Sequence, residues 1–421
     1  MTSTKSDRFA LNVFYKIELI GMSKKTRSLF FRVSLLIVLI IIASAILLFV
    51  DVKQQNTNKV VKVNNVTKTA IIPKESLTSS MTFVGEVFWG REIQVKSLES
   101  PLQYAFPFSG LSKPLHDSID NWVGDMECPV TSEDVPYQIQ VEDLRLNCRP
   151  EFLSEAAKWF NVLSLANNHS LDNGQSGLDE TRANLQKDGI QYFGDYNASN
   201  INNICEVVGM NAELSTGNSP IEKVIIPVAM CGYMLVIDQE PTEAELAVMS
   251  QYAKVMPVIV MPHMGVEYRP TAEPEKVQAY RSMIDNGADV VIGAHPHVIQ
   301  NSENYKGRLI QYSVGNFLFD QQSLGLNNIV SLGVELKLTI NDTAAINAYT
   351  KIGPQCLTYK DNCLEELQGL ISKRPIINVQ YTPQCFTEPN YYPVVADNNT
   401  CNLIKSQANW DSAVSQLSST W

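Results

Sequence analysis

The chain has 421 residues, enough for about two domains with a sizeable core. Its composition, 45% hydrophobic and 18% charged, is that of a globular protein and excludes disorder and low complexity. A formal net charge of −11 excludes nucleic acid as a partner, because phosphate binding needs a basic face.

That charge is unevenly placed. Residues 1–32 hold seven Lys/Arg (Lys5, Arg8, Lys16, Lys24, Lys25, Arg27, Arg32) against Asp7 and Glu18, a net +5, which leaves −16 for the remainder. The basic segment runs into Val33–Val50, eighteen residues without a charge and just long enough to span a bilayer. Basic residues before the span predict a cytoplasmic N-terminus and a body on the periplasmic or extracellular side. Ala43-Ser44-Ala45 resembles a signal cleavage site, but cutting there leaves five apolar residues at the new terminus, so an uncleaved anchor is the preferred reading. Residues 51–78 are polar and rich in Asn, Lys and Thr, and read as a tether.

The body begins near Met81, where "MTFVGEV" reads as a buried strand ending in a glycine turn. The spacing then predicts a helix over Glu151–Phe160 and a strand over Asn161–Ala166. A helix over Leu178–Lys187 is closed by Asp188-Gly189. Val224–Met230 and Val255–Met261 are apolar strands, each with a proline that disfavours a central ladder position. A helix is predicted over Pro274–Asn286, then strands over Ala288–Ala294 and Arg308–Phe319. This alternation means an α/β core over residues 79–340. Residues 341–421 carry four of the eight cysteines and few clear helices, and read as a disulfide-stapled extension.

All eight cysteines (Cys128, Cys148, Cys205, Cys231, Cys356, Cys363, Cys385 and Cys401) follow the apolar span. An even number on the exported side fits disulfides, with sequence neighbours such as Cys356 and Cys363 as one pairing. No CxxC pair and no zinc-finger spacing occurs.

The chemistry follows a recurring grammar of an apolar strand and then a short loop of metal-ligand residue types. These loops supply Glu86; Asp125 and Glu127; Asn167, Asn168, His169 and Asp172; His263 and Glu267; and His295 and His297. Ligands of α/β proteins lie at the carboxyl ends of strands, where such loops converge. Four of the five histidines sit at these positions, and His116 reads as a surface residue. Imidazoles mixed with carboxylate and amide oxygens suit Mn, Zn or Fe, and there are more donors than one tetrahedral site needs. Two divalent ions sharing a carboxylate or amide would use them all and would support metal-assisted hydrolysis. GxSxG, GxxxxGK[ST] and GxGxxG are all absent. Cys128 beside Glu127 reads as a disulfide partner rather than a nucleophile.

Three segments carry a family resemblance: "LANNHSLDNGQSGLDET" (165–181), "HMGVEY" (263–268) and "GADVVIGAHPHVIQNSENYKGRLIQYSVGNFLFD" (287–320). In this order they resemble the CapA family of capsule-synthesis proteins, which is linked to poly-gamma-glutamate production and has the calcineurin-like metallophosphatase fold. The resemblance runs from about Met81 to Asp320 and implies a four-layer α/β/β/α sandwich. It implies that Asn168, His263, His295 and His297 are metal ligands, alongside Glu86 and Glu127. It makes His169 the candidate general acid or phosphate-stabilising group, oriented by Asp172. Asn167, Glu267 and Asn316 are assigned to substrate contact, as is Arg91, for which a surface role is the even alternative.

Two positions depart from the family pattern. Gly85-Glu86 stands where Gly-Asp is usual, and the extra methylene moves the carboxylate by roughly 1.5 Å. Asp125-Met126-Glu127 replaces Asn-Leu-Glu. Phe88 occupies the place of a ligand histidine of ordinary metallophosphatases, which the CapA family also lacks.

The resemblance implies a membrane-anchored protein of capsule or poly-gamma-glutamate synthesis, export or attachment, with an anionic polymer and other capsule-synthesis membrane proteins as partners. The alternatives are an exported metal-dependent phosphatase or phosphodiesterase, and a non-catalytic assembly factor.

Overall fold

The computed structural model describes residues 75–421, apart from 198, 199, 218, 238, 239, 358 and 359. The basic segment, the apolar span at 33–50 and nearly all of the tether lie outside the described residues. Among the described residues no helix is long and apolar enough to cross a membrane.

Thirteen strands form one continuous network, which branches at β1 (Ser76–Val87). The first half of β1 pairs antiparallel with β5 (Cys205–Ser215), and its second half pairs parallel with β2 (Asn121–Met126). One wing therefore runs β1, β2, β3 (Val162–Ser164), β4 (Gln191–Phe193), with β11 (Val330–Ile340) on the other side of β1. The other wing leaves β5 through β6 (Glu222–Met234), β7 (Val258–His263), β8 (Val290–Ile292), β10 (Arg308–Gln311) and β9 (Ser302–Tyr305). The two expected sheets are thus the wings of a single branched one, in a mixed α/β fold with a large central sheet. Its wings still share a core: Phe83, Val123, Val162 and Phe193 of the first pack in one cluster with Met230, Val260 and Val291 of the second. Val84, Val87, Trp122 and Leu163 belong to a second cluster on the first wing's opposite face, with Phe152 and Phe160. This is the period-two alternation of strands covered on both sides.

The prolines sit where they cost no ladder bond. Pro227 of β6 pairs with Gly209, whose backbone N–H and C=O are both taken by the side chain of Gln191. The pair is therefore a non-hydrogen-bonded one, and pairing of β6 with β7 starts only at Ala229. Pro257 lies just before β7 begins.

Three expectations need correction. The segment 151–160 is a 3-10 turn followed by a helix of only four residues, Leu153–Ala156, because the chain must turn to bring Asn161 beside Trp122. The strand expected over 308–319 stops at Gln311, and residues 312–319 form a loop pinned by separate bridges. The C-terminal eighty residues are neither helix-poor nor an appendage. β12 (Ile377–Thr387) pairs with β11 along its whole length. The helix Thr343–Cys356 packs Ile346, Tyr349 and Ile352 into the inter-wing core, with Tyr349 Oη donating to the Val255 carbonyl at 2.6 Å. Further helices span Lys360–Leu370 and Asn398–Gln407. A boundary at 340 therefore cuts between two paired strands, within the compact unit Ile72–Trp421.

All eight cysteines are paired, as Cys128–Cys148, Cys205–Cys231, Cys356–Cys363 and Cys385–Cys401. Each partner is the next cysteine in sequence.

Candidate metal centre

The carboxyl ends of the parallel strands of both wings meet at one place. Along β2 the alternation that turns Val123 inward also turns Asp125 inward and carries Glu127 to the same face. On β1 a bulge between Phe83 and Glu86 shifts the register by one residue. Without it Glu86 would follow Val84 onto the outer face; with it, the carboxylate reaches the inter-wing face. Gly85 lies in this bulge rather than in a turn. A Cβ there would stand 1.9 Å from the Gly315 carbonyl oxygen, so close strand–loop approach is what requires glycine.

From the other wing come His263, the last residue of β7, and the segment after β8 that carries His295 and His297. Both of the latter have left-handed backbones, with φ of 92° and 57°. Such angles are costly for non-glycine residues and persist only where the surroundings impose them. Here the His295 N–H donates to Glu86, the Tyr268 N–H donates to the Pro296 carbonyl, and the His263–Ala294 bridge ties the segment to β7.

Two groups of buried side chains could hold a cation: Glu127, His263 and His295; and Glu86, Glu127 and His297. In each, the ligand atoms lie within 4.8 Å of one another, and Glu127 is common to both. Asn168 joins the first group, its Oδ1 2.7 Å from His263 Nε2, which is 3.1 Å from His295 Nδ1.

The hydrogen bonds behind the ligands fix which atoms face the centre. His263 Nδ1 lies 2.7 Å from Asp125 Oδ2, and His297 Nδ1 lies 2.8 Å from Asn316 Oδ1. Asn316 donates through Nδ2 to Gln321 and to the Asn328 carbonyl, so its oxygen must accept from His297. Both imidazoles then carry the proton on Nδ1 and present a bare Nε2, the arrangement of a metal-ligating histidine backed by an acceptor. The result is a convergence of acceptors. His263 Nε2 and Asn168 Oδ1 share no donor. Glu86 Oε2 and both oxygens of Glu127 are buried without a hydrogen-bond partner, the Nε2 atoms of His263 and His297 standing 3.6 and 3.7 Å from Glu127. Buried acceptors left this way cost free energy unless a cation or proton sits among them. The donor set of imidazole, carboxylate and amide fits a divalent transition ion.

The electrostatics agree. Burial, reinforced by the nearby Glu86, Asp125 and Glu267, pushes the Glu127 carboxyl well up. Burial also pushes Asp125 up to about 7, partly offset by the bond from Asn167. Burial holds His263 and His295 far below the ordinary histidine value, and so neutral, the form that binds metal.

The remaining expected site residues fall into two sets. Asn167 and Asn316 are fully buried and stand behind the ligands rather than at a substrate surface: Asn167 donates to Asp125 Oδ1 at 3.0 Å, and Asn316 orients His297. His169, Arg91 and Glu267 line an open cleft of about 320 Å³ that also reaches His297. His169 Nδ1 is 2.8 Å from Asp172 Oδ2, which also accepts from the Leu146 N–H, so the imidazole offers Nε2 to the cleft. Arg91 is no surface residue. It is paired with Asp320, their side chains being 12% and 6% exposed, and its guanidinium lies over the rings of Phe88 and Phe319. Phe88 thus supports an arginine where a ligand histidine stands in ordinary metallophosphatases. His116 lies away from the centre, as expected, but it is half-buried, its ring set edge-on against Trp159 with centroids 4.9 Å apart.

Sequence reasoning did not find the roles of Asp125, Asp320 and Glu388. Asp125 was visible as an acid in a strand-end loop, but its pairing with His263 spans 138 residues. Glu388, in the C-terminal segment, is buried and accepts from the Phe319 N–H, which sets one wall of the cleft.

The model of the family described as "Bacterial capsule synthesis protein PGA_cap" matches residues 80–321, more than half of the chain. The chain is 28% identical over 261 residues to "Capsule biosynthesis protein CapA" of Bacillus anthracis, covering 59% of this chain and 61% of that protein. It is 29% identical over 266 residues to "PGA biosynthesis protein CapA" of Bacillus subtilis (strain 168), covering 58% and 63%. A "probable polyglutamine synthesis accessory protein" of Mycobacterium tuberculosis is 30% identical over 202 residues, 44% of this chain and 52% of the relative. The match thus spans about three-fifths of the length of the Bacillus relatives. The matched region holds every ligand of the candidate centre, and the chain belongs to the bacterial capsule synthesis protein family PGA_cap.

Proposed function

We propose that this protein is a divalent-metal-dependent hydrolase or transferase of capsule biogenesis, tethered by residues 33–50 and working on the outer side of the membrane. Two ions, one in each ligand group, would share Glu127. The observation that supports this most is the pair of partnerless oxygens on Glu127, buried between His263 and His295 in one ligand group and His297 in the other. When bound, such ions supply Lewis acidity and lower the pKa of water.

The chain's own residues do the rest. Asp125 and Asn316 hold His263 and His297 in the ligating tautomer, and the Glu86–His295 bond fixes the spacing of the wings. His169, held by Asp172, faces the cleft and moves a proton to or from the reacting group. The name of the Bacillus subtilis relative, "PGA biosynthesis protein CapA", together with the family resemblance, supports poly-gamma-glutamate as the capsule component served.

The test is turnover by the purified full chain with Mn or Zn, on aryl phosphodiesters and on gamma-linked glutamate oligomers. Metal-dependent turnover that falls 10²-fold or more in His169→Ala is expected for one of these classes. Turnover of phosphodiesters alone would remove the polymer as substrate. No turnover of either, with metal bound, would leave an assembly factor.

A further inference from the structure

We propose that the group entering the cleft is an anion carried on an apolar moiety, not an uninterrupted run of gamma-linked glutamates. The inference rests on the metal-centre reading above and specifies its substrate. Eighteen large hydrophobic side chains are exposed among the described residues, and five of them (Tyr137, Val141, Leu144, Tyr268 and Leu324) line this one cleft. They come from three separate segments, so the concentration is not the accident of a single apolar helix face. Tyr268 has a left-handed backbone (φ 62°) and stacks on the ligand His297 with ring centroids 5.9 Å apart, which leads the apolar surface directly to the centre.

The charges at the cleft point the same way. Arg91 is the one cation among the described lining residues, and it is already paired with Asp320; Glu267 adds a further negative charge. A polyanion drawn through the cleft would bring a carboxylate at every residue past walls with no free positive charge. Each one would lose hydration without a counter-charge. A single anionic group can instead be met by metal at the floor, with its apolar portion covering the exposed rim. In capsule chemistry this describes a junction where an anionic component is joined to an apolar carrier or anchor.

The experiment is calorimetric titration of the Mn-loaded full chain with methylphosphonate and with hexylphosphonate. Hexylphosphonate is expected to bind at least about tenfold tighter, since five added methylenes leave water against the rim. Leu144→Ser and Leu324→Ser, both at exposed positions, should each weaken hexylphosphonate more than methylphosphonate, which has no alkyl chain to meet the rim. Equal affinity for the two phosphonates, a preference that survives both substitutions, or a gamma-linked glutamate hexamer that displaces hexylphosphonate at equal concentration would each overturn the inference. A chain that prefers hexylphosphonate through the rim yet holds no metal would sink the metal-centre reading and leave the apolar specificity standing.

Discussion

The two wings of the sheet divide the labour at the centre. The β1–β4 wing supplies acids and an amide: Glu86, Glu127 and Asn168, with His169 at the margin. The β6–β10 wing supplies the imidazoles His263, His295 and His297. Neither set is a complete site. Carboxylates alone would repel one another, and imidazoles alone would leave a bound cation without counter-charge. The difference teaches that the centre would also be a joint, because an ion held from both sides would fasten one wing to the other. Binding free energy is then folding free energy as well.

The sharpest break is at the shared residue. Glu127→Gln should leave the chain with almost no metal after gentle purification, by elemental analysis, and abolish the rise in Tm that added Mn or Zn gives the natural protein. In chelator the sign reverses. The substitution removes a buried acid without a partner, so the variant should be the more stable one, by on the order of 1–3 kcal/mol in denaturant unfolding. Loss of stability in both conditions would mean that Glu127 is structural.

Next in size is the support behind a ligand. Asp125→Asn keeps an oxygen for His263 but sets an amide N–H₂ against the one that Asn167 already directs there. Metal affinity should fall about 10–100-fold, with little change in Tm in chelator. This is also the change that restores the usual family residue, so unaltered affinity would show that the local network has an alternative arrangement.

A third test uses pH. Asp125 is raised to about 7 in the fold against an ordinary 3.8, and Glu127 is raised as well. A carboxyl raised in the folded state adds stability that is fully present below its unfolded value and lost as pH rises through its folded one. The metal-free protein should therefore lose these contributions between about pH 4 and 7 or above. His263 and His295 act oppositely: held neutral by burial, they destabilise the fold as pH falls below 6.5. Metal binding needs all four deprotonated. Affinity should thus drop at least about tenfold from pH 8 to pH 6, and the metal-induced gain in Tm should shrink with it. A pH-independent affinity would contradict this.

The smallest effect on the centre is expected from the far end of the sheet. The Cys385–Cys401 bridge closes a short loop between β12 and the following helix. Replacing both cysteines with serine should cost about 3 kcal/mol of stability and leave metal content unchanged. Loss of metal with the bridge would mean that Glu388, which shares this segment and holds Phe319, transmits the damage.

What could be read from sequence follows from the range of each interaction. The strand-end loops were legible because apolar runs of strand length are local, and ligand residues stand directly after them. His263, His295 and His297 were placed at strand ends for that reason, whereas the pairing of the cysteines was not legible in one dimension, where neighbour with neighbour was only one possibility. The bulge that turns Glu86 inward left no mark, since it depends on register against β2. Asn167 and Asn316 look like surface ligands in one dimension; only the fold shows each of them bonded to a residue behind the centre. The C-terminal strand and helices were missed because cysteines and prolines suggested loop, whereas β12 is held by eleven register positions against β11.

Anomalous diffraction from crystals of the chain grown with Mn or Zn tests the joint most directly. Two peaks about 3.5–4 Å apart, with Glu127 between them, one beside His263 and His295 and the other beside Glu86 and His297, are predicted. No peak at this position, in crystals whose metal concentration saturates ordinary dimetal sites, would contradict it.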